Sequence, residues 1–152
     1  MARGETPGEF LNPAEREQVA AAIQAAEART SGEIRVCLES RLPLLTPDPY
    51  RHARRVFARM GMHATAERNG VLVYLALRSR RYAIVGDEAL HRHVGDEFWR
   101  ATAAAMGAHF AADRFGDGLA EAIGRVGERL AERFPRRDDD VNELSDEIQF
   151  GK

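Results

Sequence analysis

Apolar residues recur along this chain with two different periods, and the alternation between them predicts the architecture. Val19, Ala22, Ile23 and Ala26 follow i, i+3, i+4, i+7 spacing, the stripe of a helix packed closely through small side chains. Asn12 as cap, Pro13 at the first helical position and Glu15 in an Asn-x-x-Glu capping box mark its start, and it is expected to run to about Arg29. Thr30-Ser31-Gly32 then turns the chain into EIRVCLES, where Ile34, Val36 and Leu38 alternate with Arg35, Cys37 and Glu39. A period of two predicts a strand with one fully apolar face. Arg41 to Pro49 carries three prolines and reads as a loop crossing the end of the sheet. Asp48-Pro49 opens a second helix, with Tyr50, Ala53, Val56, Phe57 and Met60 inward and Arg51, Arg54, Arg55 and Arg59 outward, which Gly61 ends.

Asn69-Gly70 leads into GVLVYLAL, a continuous apolar run expected of a central strand covered on both faces. The polar turn Arg78-Ser79-Arg80 and the apolar RYAIVG make a hairpin with it. From about His93 a long helix follows, with Val94, Phe98, Thr102, Met106 and Phe110 at every fourth residue and Trp99 on its flank. Asp113 to Asp117 breaks the pattern, and a last helix places Leu119, Ile123, Val126, Leu130 and Phe134 inward before Pro135. The dense charge of residues 136–152 predicts an extended or disordered tail, with Val141, Leu144 and Ile148 as docking points.

The order helix, strand, helix, hairpin, helix, helix is that of an α/β protein. It predicts a three-layer α/β/α sandwich in which a small mixed sheet of three to four strands is covered by helices on both faces. At 152 residues one domain suffices, and it is assigned to 9–135. The 22 basic and 24 acidic residues leave a formal charge of -2, which argues against a nucleic-acid binder or an anionic-membrane binder. No signal-like N-terminus or long apolar run suggests a membrane anchor, and the lone Cys37 permits no internal disulfide, so a cytoplasmic protein is expected. Cys37 itself reads as a small filler of the strand.

Chemistry concentrates in RYAIVGDEALHRHVGDEFW, where a strand stops at Gly86-Asp87-Glu88. Ligands favour crevices at strand ends, although Gly-Asp is also ordinary turn chemistry. If the strand from Glu33 runs parallel to that from Val71 and the next one returns, Glu33, Asn69, Asp87 and Glu88 share one sheet edge, with the Asp113–Asp117 break as a further wall. An oxygen-rich set without cysteine suits Ca2+ or Mg2+, and the i, i+2 spacing of His91 and His93 disfavours zinc. No phosphate-cradling glycine loop, HExxH helix, Cys-x5-Arg loop or Asp-x-Asp strand end occurs.

FLNPAEREQVAAAIQAAEARTSGEIRV, NGVLVYLAL, YAIVGDEALHRHVGDEFW and FGDGLAEAIGRVGERLAERFP together resemble the TPM domain family, in its short, unanchored bacterial subgroup. Longer exported members carry VGYGLE-like sequence where this chain has VGDEAL. The resemblance implies a three-layer α/β/α fold, a divalent-metal site at one sheet edge and an acid phosphatase activity in some members. Carried over by position, it puts Asp87 first among the metal ligands, then Glu33 and Glu88, and last Asp117. Two functions are therefore expected: a Ca2+-binding domain of binding or regulatory role, with Mg2+ as the other cation, or a metal-dependent phosphatase acting on phosphoesters. A protein partner docked through the acidic tail is the third.

Overall fold

The computed structural model describes residues 3–46, 48–136 and 148–150. A short helix α1 (Pro7–Phe10) precedes α2 (Pro13–Glu27), whose capping box forms as expected: Glu15 N–H donates to Asn12 Oδ1 at 2.8 Å, and Asn12 N–H donates to Glu15 Oε1 at 3.1 Å. β1 (Glu33–Glu39) follows, then α3 (Pro49–Arg59), β2 (Gly70–Ala76), β3 (Arg81–Gly86), α4 (Glu88–Ala111), α5 (Phe115–Arg133) and a two-residue β4 (Gln149–Phe150). The sheet order is β3-β2-β1-β4. β1 is parallel to β2 and to β4, and β3 is antiparallel to β2, so the sheet is small and mixed as expected.

Strand alternation sorts the core into two layers. Ile34, Val36, Leu38, Val71, Val73, Leu75 and Ile84 face α2, α4 and α5, whose Ile23, Met106, Leu119, Ile123 and Leu130 complete the larger cluster. Leu72, Tyr74, Ala76, Ala83 and Val85 face α3 through Ala53, Val56 and Phe57. The α/β/α sandwich therefore has α2, α4 and α5 on one face and α3 on the other. The five apolar positions expected to face inward from α5 are all buried.

Two local expectations, the inward face of α3 and the start of the long helix, are corrected. Tyr50 is exposed, and His52 takes the inward place on α3. Beyond the apolar face expected of it, β1 is buried on its alternate face as well, every residue of the strand being inaccessible. The long helix starts at Glu88, because Asp87 caps it; Gly95, at φ 79° and ψ 172°, kinks it in a conformation that L side chains rarely adopt, so the regular four-residue pattern becomes legible only beyond that point. In the tail, Ile148 packs on the larger cluster as the docking point expected of it, and Gln149 and Phe150 pair with β1. Val141 and Leu144 lie outside the described residues.

The buried polar face of β1 is made possible by partners distant in sequence. Glu39 accepts hydrogen bonds from the Tyr74 hydroxyl at 2.7 Å and from Arg59 at 3.4 Å, and His52 Nε2 lies 2.8 Å from it. Burial, reinforced by the Glu39 carboxylate, pushes the Tyr74 phenol well above its ordinary value of 10.0. The native state then keeps a proton that the unfolded chain releases, so this contribution to stability is intact below pH about 10 and is lost as pH rises further. Urea denaturation above that pH should show stability falling with pH in the wild type, with a shallower fall in Tyr74→Phe; identical slopes would contradict the assignment.

Candidate functional site

Register decides what meets at the sheet edge. Glu33 pairs with Gly70 and Val71 with Gly86, and Asp87 N–H donates to the Gly70 carbonyl at 2.8 Å. Glu33, Asn69 and Asp87 thus reach the same edge, as the strand directions predict. Glu33 and Asp87 are nevertheless two strands apart, about 10 Å at the usual strand spacing, and their side chains enter different crevices.

Asp87 is 6% exposed and Oδ1 accepts from Glu88 N–H at 2.7 Å, a helix cap. The same carboxylate is gripped by Arg68, with Nε 3.1 Å from Oδ2 and Nη2 3.3 Å from Oδ1; the bond to Asp87 also raises the Arg68 pKa further. Asp87 and Glu88 line a cleft of about 500 Å3 with Tyr50, Arg54, His63, Arg68 and His91. Glu88 is exposed and 3.5 Å from Arg92. His91 Nδ1 accepts from Trp99 Nε1 at 3.0 Å, which fixes the ring's orientation at the cleft.

Glu33 belongs to another assembly. It is 3.1 Å from Arg35 Nη2 and lines a separate crevice of about 410 Å3 with Gln24, Glu27, Ser31 and Arg136. Asn69 stands between the two crevices, its Nδ2 donating to Ser31 Oγ at 3.4 Å. Asp117 is elsewhere: Gln18 Nε2 donates to it at 2.8 Å, its neighbour Gly116 bonds Glu15, and Phe115 beside it lines a cavity with Leu77 and Arg80 of the hairpin turn. The α4–α5 break is therefore at the opposite end of the sheet from Asp87 and forms no fourth wall. α5 runs alongside α2 in the same direction, so that its far end, not its start, reaches the β1 edge, where Thr30 bridges Pro135.

Whether these residues fit a divalent ion is decided by donors. Among the described residues no three His, Cys, Asp or Glu side chains converge. A closed four-carboxylate cage from Asp87, Glu33, Glu88 and Asp117 does not fit. Asp87 and Glu88 fit a cation that keeps most of its water, provided that Arg68 swings aside; its side chain is 50% exposed, so solvent screens the ion pair it would give up.

Arg68, Arg54, His63 and Tyr50 were not anticipated as cleft residues. A signal for Arg68 exists in the hairpin: extending the β2–β3 register puts residue 68 opposite residue 89, and Ala89 N–H indeed donates to the Arg68 carbonyl at 3.2 Å. Gly86 also closes the cleft tightly, since a Cβ there would overlap the Trp99 indole. Gly86→Ala should cost about 1–3 kcal/mol by thermal denaturation, and a stability unchanged from wild type would show that Trp99 moves freely.

The comparisons agree with this fold. The solution structure of the BA42 protein from the psychrophilic bacterium Bizionia argentinensis superposes with a TM-score of 0.84 at 38% identity, over 94% of this chain and 97% of that one. The N-terminal domain of cg2496 from Corynebacterium glutamicum (TM-score 0.62, 16% identity, 89% and 82% covered) and that of a P. gingivalis protein (0.59, 19%, 82% and 78%) share the fold. No curated protein matches significantly. The TPM domain family matches residues 6–129, and the chain belongs to that family.

Proposed function

We propose that the Asp87 cleft binds a hydrated divalent cation, Ca2+ or Mg2+, as the basis of a binding or regulatory role in the cytoplasm. The observation that carries this reading is the buried Asp87 carboxylate, held at a strand end beside Glu88 and countered by a single half-exposed guanidinium. A divalent ion placed there replaces one positive charge with two and accepts both carboxylates, water completing the six to eight oxygens Ca2+ prefers. Two carboxylates place affinity at the weak end of the range, with Kd about 10⁻⁴–10⁻³ M. Glu33 stays with Arg35 and Asp117 with Gln18, so neither is a ligand in this reading.

Calorimetric titration with Ca2+ and with Mg2+ should give binding in that range. Asp87→Asn, which retains an oxygen for the helix cap, should lose at least about tenfold in affinity. Affinity unchanged in that variant sinks the reading.

Four basic or imidazole side chains, Arg54, His63, Arg68 and His91, line the same cleft and favour a second reading. They suit a phosphoester, whose oxygens would meet Arg54 and Arg68 while a cation at Asp87 polarises the phosphoryl group. Turnover of a chromogenic phosphate ester that is lost with chelator and in Asp87→Asn would support hydrolysis, and turnover indifferent to both would reject it.

A further inference from the structure

Between β1 and α3 an ordered turn carries two leucines into water. Thr46 N–H donates to the Pro43 carbonyl at 3.0 Å, closing a four-residue turn whose central positions, Leu44 and Leu45, are each 95% exposed. Gly, Asn, Asp, Ser or Pro ordinarily occupy such positions. The turn is held on both sides: Leu42 is buried against α3 and its N–H donates to Ser79 Oγ at 3.0 Å, while buried Thr46 accepts from Arg55 Nη1 at 3.2 Å. Beside it runs a cationic face. Arg41 is exposed, and Arg51, Arg54, Arg55 and Arg59 form the outward stripe of α3, a helix with no acidic residue between Pro49 and Arg59. The neighbouring acids are engaged: Asp48 caps Tyr50 N–H at 3.0 Å, and Glu39 is buried. Arg41, Arg51 and Arg54 make no ion pair among the described residues.

We propose that this is a peripheral docking surface for an anionic lipid bilayer. Leu44 and Leu45 enter the headgroup boundary, and Arg41, Arg51, Arg54 and Arg55 lie over lipid phosphates, the combination of an apolar tip and a basic collar that anionic membranes attract. The overall charge of -2, which by itself argues against such a partner, is overridden locally, because salt limits the surface field to about 8–10 Å and the bilayer meets only the nearest face. No helix among the described residues is long and apolar enough to cross a membrane, and none is needed. A protruding pair of leucines offers far less than the roughly 800 Å2 that each partner gives a stable protein interface, and nucleic acid would use the arginines but not the leucines.

Co-sedimentation with vesicles of phosphatidylcholine, alone and with phosphatidylserine, tests the proposal on the full chain. The wild type should bind only the anionic vesicles and be released by high salt. Leu44→Asn/Leu45→Asn should lose at least about tenfold in partitioning with an unchanged melting temperature, and Arg51→Gln/Arg54→Gln about twenty-fivefold, from roughly fivefold per arginine. Asp87→Asn should bind vesicles like wild type, so failure of the cation site and failure of this surface are told apart. Absence of binding to anionic vesicles, undiminished binding of the leucine variant, or a leucine-dependent dimer that ignores lipid would overturn it.

Discussion

Arg35→Ala should lower the stability of this domain by about 3–5 kcal/mol, a large part of the roughly 5–15 kcal/mol that holds a domain together. Arg35 is 1% exposed in the middle layer and is the hub of a buried charge cluster. Nη1 donates to Glu27 Oε2 at 3.0 Å and to the Ile34 carbonyl at 2.6 Å, and Nη2 reaches Glu33 Oε2 at 3.1 Å. Glu27 also accepts from Ile34 N–H at 2.7 Å, so the cluster stitches the end of α2 to the start of β1. Two charges attract in a dry interior only as long as both are present. Alanine leaves two buried carboxylates without their shared fork, and the fork geometry means that Arg35→Lys should restore only part of the loss. Urea denaturation measures this, and a loss below about 1 kcal/mol would show that water or other groups compensate the acids.

Glu39→Ala is expected to cost about 2–6 kcal/mol, from two buried polar groups stranded at about 1–3 kcal/mol each. The carboxylate is the acceptor that makes Tyr74 tolerable at the centre of the sheet, and it orients His52 across the strand. Glu39→Gln keeps an acceptor oxygen and should cost distinctly less. Denaturation curves of the two variants check the account. Equal losses would mean that the negative charge, rather than the hydrogen-bond acceptor, is what the core requires.

These two positions also explain what could and could not be foreseen. The capping box at Asn12, the alternation at Ile34, Val36 and Leu38 and the stripe from Leu119 to Phe134 are local signals, so the elements and the layer order follow from them. Arg35 and Glu39 alternate with the apolar face of β1, and local alternation shows which residues share a face but not what covers it. Their partners, Glu27, His52 and Tyr74, sit on other elements, and only tertiary structure brings them together. The sheet edge behaves likewise. Strand direction correctly gathers Glu33, Asn69 and Asp87 at one end, but the choice of crevice depends on side-chain partners: Arg35 holds Glu33, and Arg68 holds Asp87. The break before α5 looked like a neighbouring wall because periodicity carries no helix direction; packing of Gly116 beside Glu15 and of Gly127 on Ala26 aligns α5 with α2 in the same sense, so that its start lies with the start of α2 and Asp117 is at the far end from Asp87.

The cleft's function turns on whether a divalent ion displaces Arg68 from Asp87. Mn2+ substitutes for Ca2+ and Mg2+ at oxygen sites and broadens the amide signals nearest to it, so a spectrum recorded during Mn2+ titration locates the ion directly. The expected result is early loss of Asp87, Glu88 and Arg68, with Gly32, Glu33 and Asp117 persisting, and no such order in Asp87→Asn. First broadening at Glu33 or Asp117, or uniform broadening across the chain, would contradict a cation site at Asp87.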